Sequence, residues 1–101
     1  MFEGEEIMQT EALVNTQSAE LYLKKLCRHF AHKVPATIAG QSGIIDFPFG
    51  RCRLDVKAGS LVMCIDLENP GDVDKAEKVV SEHLVRMAPK ETLTIEWGRT
   101  D

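Results

Sequence analysis

The sequence predicts an α+β domain: an antiparallel sheet with two helices packed on one of its faces, in the order β-α-β-β-β-β-α-β. Three observations lead there. The hydrophobic period switches from two residues to about 3.6 at Thr16 and again at Asn69. Between those points lie four short strand-like runs joined only by tight turns, so neighbouring runs must be antiparallel. Each run and each helix has a single apolar side, and one-sided strands need a helical cover.

The first strand is read at Gln9–Val14, with Ala12 and Val14 on one face. Thr16 is placed as the N-cap of a helix running to about Ala31. Its apolar residues Ala19, Leu23, Leu26, Cys27 and Phe30 step by three and four and form one stripe. Pro35 ends any continuation and pushes Val34 to extended geometry.

Four strands follow. Ala36–Ala39 and Ile44–Phe47 flank the turn Gly40-Gln41-Ser42-Gly43. After Pro48-Phe49-Gly50, where Gly50 suits the left-handed position of a bulge, Arg51–Val56 alternates between Cys52, Leu54, Val56 and Arg51, Arg53, Asp55. Beyond Lys57-Ala58-Gly59-Ser60, Leu61–Glu68 sets Leu61, Met63, Ile65 and Leu67 opposite Val62, Cys64, Asp66 and Glu68. A bulge at Gly50 would slip the register by one residue and turn Asp46 to the other face.

Asn69 caps the second helix and Pro70 takes its first position. Val73, Ala76, Val80, Leu84 and Met87 form its core stripe, and Asp74–Lys78 and Glu82–Arg86 are spaced as helical ion pairs. Pro89 stops it. Thr92–Trp97 is read as the closing strand, with Leu93, Ile95 and Trp97 inward. The domain thus spans residues 9–97, between an acidic, flexible segment at 1–8 and a short tail at 98–101. This topology is similar to the TATA-box-binding-protein-like fold and to the C-terminal domain of phosphohexomutases, a likeness that carries no function by itself.

A chain of 101 residues holds one core and little else. Its net charge of −4 is concentrated in Glu3, Glu5 and Glu6, so the folded part is nearly neutral and lacks the basic balance of a nonspecific nucleic-acid binder. The longest apolar run, Leu61–Ile65, is far too short to span a bilayer, and the opening residues have no signal-peptide pattern. Cys27, Cys52 and Cys64 form no close pair and read as reduced thiols of a cytoplasmic protein, the first two buried. Cys64 and Val62 fall on the uncovered sheet face with Glu11, Asp46, Arg51, Arg53, Asp55, Asp66 and Glu96. A homo-oligomer joined through that face would cover them.

Two stretches resemble a known family: Lys25-Leu26-Cys27-Arg28-His29-Phe30-Ala31-His32-Lys33-Val34-Pro35, and Ile45-Asp46-Phe47-Pro48-Phe49-Gly50-Arg51-Cys52. With Thr10-Glu11-Ala12 and Glu82-His83-Leu84, they resemble the bacterial family named domain of unknown function 2218, over about residues 9–97. The resemblance implies no catalytic residue and no cofactor. Its members stand alone or are fused to flavin-containing siderophore-interacting proteins, which implies an association with iron uptake.

His29 and His32, three residues apart, could share a metal ion, with His83 or Asp46 as a third ligand if the fold brings either close. Cys27 cannot join them: with Leu23 at zero it falls at about 40° on the helix, against about 240° and 180° for the histidines. Lys24, Lys25, Arg28 and Lys33 share the histidines' arc and make a basic ridge that would attract an anion. No catalytic motif is present. The reading is a small non-catalytic binding or accessory module. Its candidate surface is His29, His32, Lys33, Arg28, Asp46, Phe49 and Arg51, its partner an unidentified protein or a small anionic ligand. Neither nucleic acid nor membrane is expected, and no cofactor. The alternative is an iron- or siderophore-linked accessory protein using His29 and His32 as metal or anion contacts.

Overall fold

A computed structural model describes residues 8–100. Its elements are β1 (Met8–Asn15), α1 (Ala19–Phe30), β2 (Ala36–Ala39), β3 (Ser42–Phe47), β4 (Gly50–Lys57), β5 (Ser60–Leu67), a 3-10 turn at Pro70–Asp72, α2 (Val73–Met87) and β6 (Gly98–Thr100). The strands form one antiparallel sheet in the order β2-β3-β4-β5-β1-β6. The expected fold class and element order hold. Of the segment expected at 1–8, Met8 begins β1 and the rest lies outside the described residues. Among the described residues no helix is long and apolar enough to cross a membrane.

One sheet face is apolar because alternate residues of every central strand are. Ile45, Cys52, Ile65 and Thr10 align across β3, β4, β5 and β1, and Leu54, Met63 and Ala12 form the next row. All are buried under the two helices, α1 contributing Ala19, Tyr22, Leu23, Leu26, Cys27 and Phe30 and α2 contributing Val73, Ala76, Val80 and Leu84. The opposite face carries charge in register. Asp46 lies opposite Arg51 and Arg51 opposite Asp66, with ion pairs Arg51–Asp46 at 2.7 Å and Arg53–Asp66 at 3.1 Å.

Gly50 departs from expectation. It starts β4 in direct register with Phe47 and Leu67, and the pairing runs on without a slip, so Asp46 stays on the open face. A glycine is required there because a Cβ would collide with the carbonyl oxygen of Asp66.

Helix α1 starts at Ala19 with Ser18 at its cap position rather than Thr16. The Thr16 hydroxyl accepts from the Ser18 amide at 3.0 Å and donates to the Glu91 carboxylate, which also takes the Tyr22 hydroxyl. Asn69, expected to cap α2 itself, caps the 3-10 turn that leads into it, accepting from the Gly71 amide at 2.9 Å, with Pro70 in that turn; α2 begins at Val73 with Asp72 at its cap position. The two ion pairs expected within α2 are absent among the described residues. Asp74 pairs instead with Arg99, which arrives from β6 with a forked donor that bridges Asp74 and Glu77 together, and Glu82 pairs with Lys78.

The closing strand is displaced. Thr92–Trp97 is not paired in the sheet; Gly98–Thr100, expected as part of a tail, pair instead with Gln9–Glu11. Leu93, Ile95 and Trp97 do pack on the core, and Trp97 donates its indole N–H to Ser81 Oγ at 2.8 Å. The segment is held by Glu91 at α1 and by Ser81 on α2, which keeps its backbone off the β1 edge. A gap lined by Leu13, Asn15, Thr92, Thr94 and Glu96 separates them. Alternation reports which side faces the core, and backbone pairing is a separate condition.

Candidate functional site

The two helices run antiparallel. Going back along α1, Phe30 meets His83, Lys25 reaches the Met87 carbonyl and Tyr22 binds Glu91. The last turn of α2 therefore lies beside the second half of α1. Between them is an open groove of about 460 Å³ lined by Lys25, Arg28, His29, His32, Arg86, Met87 and Pro89. Among the described residues its lining contains no carboxylate. Arg28, His29, His32 and Arg86 are all exposed.

Local chemistry explains why these side chains are free. The Ala31 amide bonds the Cys27 carbonyl, the Lys33 and Val34 amides bond that of Phe30, and the Ala88 amide bonds that of Val85. Several helix-end carbonyls that a basic side chain could have capped are thus already engaged. The chain has five arginines. Arg51, Arg53 and Arg99 are ion-paired with Asp46, Asp66 and the Asp74–Glu77 pair. Arg28 and Arg86, both in the groove, have no carboxylate partner among the described residues.

His29 leans on α2. Its ring centroid is 5.0 Å from that of His83 and 5.1 Å from that of Phe30. His83 holds its Nδ1 2.7 Å from the Val79 carbonyl. A carbonyl oxygen only accepts, so that nitrogen carries the hydrogen. Loss of hydration, then the charges of His83, Lys33, His32 and Arg86, hold the His29 imidazole below its ordinary value.

The sequence-derived surface is thereby divided. Arg28, His29 and His32 line the groove, and Lys33 is exposed just past α1. Asp46, Phe49 and Arg51 lie instead around a second cleft, at the β3–β4 hairpin, with Phe47, Asp66, Glu68 and Asp72. A row of rings joins the two: His29, His83, Phe30, Phe47 and Phe49, with successive centroids 4.7 to 5.0 Å apart. The two unusual sequence stretches meet in this row, and the Asp46 amide also binds the Pro35 carbonyl at 2.9 Å. His83 does approach His29, as one third-ligand arrangement required. Among the described residues, no three His, Cys, Asp or Glu side chains gather where they could hold a metal ion.

Sequence reasoning did not place Arg86 at this site. It was legible as a basic residue in the last turn of α2, and only the helix–helix alignment puts it opposite Arg28.

Fold and groove together define a small α+β domain with a six-stranded antiparallel sheet and a basic inter-helix surface. The chain belongs to the family described as "Uncharacterized protein conserved in bacteria (DUF2218)", which matches residues 11–98. It is similar to the protein in the NMR structure of PA4090 from Pseudomonas aeruginosa, with 31% identity, a TM-score of 0.75, and 90% of this chain and 95% of that chain covered. No curated protein matches it.

Proposed function

We propose that this protein is a non-catalytic binding module that engages an anionic partner through the groove between α1 and α2. One observation carries the reading: the arginines of the strands are neutralised by carboxylates, while Arg28 and Arg86 line one groove and have no carboxylate partner among the described residues. A folded chain of net charge −4 that keeps such a cluster concentrates positive potential on one surface. Guanidinium forks favour carboxylate and phosphate oxygens, which they bind in pairs. The groove is open rather than enclosed, which suits contact more than chemistry on a sequestered substrate.

The test is a titration of the ¹⁵N-labelled protein with inorganic pyrophosphate at pH 7, against chloride at matched ionic strength. Amide shifts should concentrate at residues 25–33 and 86–88. Arg28→Glu with Arg86→Glu should abolish them while leaving the remaining spectrum folded. Shifts spread evenly over the surface, or unchanged by the double reversal, would refute the reading.

A further inference from the structure

His29 is surrounded by positive charge from both helices. Lys25, Arg28, His32 and Lys33 neighbour it on or just past α1, and His83 and Arg86 face it from α2. The strands beneath α1 turn Asp46, Arg51, Arg53, Asp55 and Asp66 to the other side of the sheet. Glu82, next to His83 in sequence, is directed to Lys78 at 4.0 Å. Among the described residues a proton on His29 therefore meets no carboxylate, and its neighbours repel it. An oxyanion entering the groove reverses that balance, since the imidazolium then gains a partner of opposite charge.

The ligand's chemistry follows from the donors. Arg28 and Lys25 from α1 and Arg86 from α2 line one groove of about 460 Å³. This arrangement suits a compact group with several equivalent oxygens and two negative charges. With the imidazoles neutral, the lining offers three cations; each protonated imidazole adds one more, so a dianion benefits more from the added charge than a monoanion.

Resting on the anion-binding reading above, we propose that the groove is a proton-coupled site for a compact divalent oxyanion, with His29 taking up a proton from solvent as the anion enters. No covalent bond changes. The imidazolium formed presents a new N–H donor to the anion, and release of the anion returns the proton. The lowered protonation of free His29 supports this, because lost hydration and the facing cations disfavour its proton until an anion arrives.

Sulfate is the probe, since it remains divalent from pH 5.5 to 8.0 and its own titration cannot mimic the effect. Binding is followed by ¹⁵N amide shifts at constant ionic strength. Affinity should be about tenfold tighter at pH 5.5 than at pH 8.0, the change that one unit of pKa shift on binding produces. His29→Gln should lose most of the pH dependence. Arg86→Gln should weaken binding at both pH values and keep their ratio. Equal wild-type affinities at the two pH values, or a His29→Gln variant that keeps the full ratio, would overturn the coupling and leave anion binding standing. Pyrophosphate binding without sulfate binding at either pH would also overturn this proposal alone, whereas failure of both anions would overturn the broader reading with it.

Discussion

Thr10 and Glu77 are joined across the sheet–helix interface by a hydrogen bond of 2.6 Å, the Thr10 hydroxyl donating to Glu77 Oε2. Thr10 is fully buried in the middle of the core face, on a strand where its neighbours Ala12 and Val14 are apolar. The same carboxylate receives Arg99 at 2.8 and 3.0 Å. One acidic side chain thus ties β1, α2 and β6 together.

Replacing Glu77 should therefore cost more than an exposed helical residue would. Glu77→Ala leaves the buried Thr10 hydroxyl without its acceptor, a loss of about 1–3 kcal/mol. Thr10→Val with Glu77→Ala should recover part of it, since both partners are then removed. Urea denaturation of the two variants measures the difference. The Arg99 bond holds the Glu77 carboxyl below its ordinary 4.5. Its contribution is present above pH 4.5 and is lost as pH falls through the lowered folded value. Glu77→Gln should flatten the stability profile in that range.

Gly43 faces the Cys27 thiol. A Cβ at Gly43 would lie 2.7 Å from Cys27 Sγ, closer than packed atoms allow. Gly43→Ala should destabilise by about 1–3 kcal/mol through overpacking. Adding Cys27→Ala opens the space and should return much of the loss, which a double-mutant cycle will show. A Gly43→Ala variant as stable as the wild type would contradict this packing.

The three thiols differ in access. Cys27 and Cys52 are buried and Cys64 is half-buried beside Arg53, whose Nη2 is 3.2 Å from its sulfur. Burial pushes all three thiols up, Cys52 furthest. Under native conditions a small alkylating agent should modify Cys64 alone, and slowly for lack of thiolate. Full denaturation without reductant should yield three free thiols. Native modification of Cys52, read by mass spectrometry, would contradict the placement of β4 under the helices.

His29 predicts a second pH effect, on stability. Its folded value lies below the ordinary 6.5, so the unfolded chain binds the proton more readily. This contribution is present above pH 6.5 and is lost as pH falls through the folded value. Thermal melts from pH 8 to pH 5 should show a decline that His29→Gln reduces.

His83 is the more structural of the pair. His83→Ala removes the ring packed on Phe30 at 4.7 Å and the bond to the Val79 carbonyl, and should cost about 1–2 kcal/mol. Chemical denaturation of His83→Ala beside His29→Ala checks the ranking.

The sequence by itself determined the fold class, the order of elements and most of the core. Strict alternation in Arg51–Val56 and Leu61–Leu67, and the three–four spacing of Leu23, Leu26, Cys27 and Phe30, are local properties of the chain, and burial follows from them directly. The basic arc of α1 was legible for the same reason. Tertiary structure alone decided three other matters. It placed the closing strand at Gly98–Thr100, because Glu91 and Trp97 hold the preceding segment to the helices. It separated Asp46, Phe49 and Arg51 from the histidines into a second cleft. It brought Arg86 and His83, more than fifty residues away along the chain, to face Arg28 and His29. Periodicity fixes which side of a helix meets the core, but the sliding alignment of two helices depends on the side chains that interlock between them, and no local pattern encodes that.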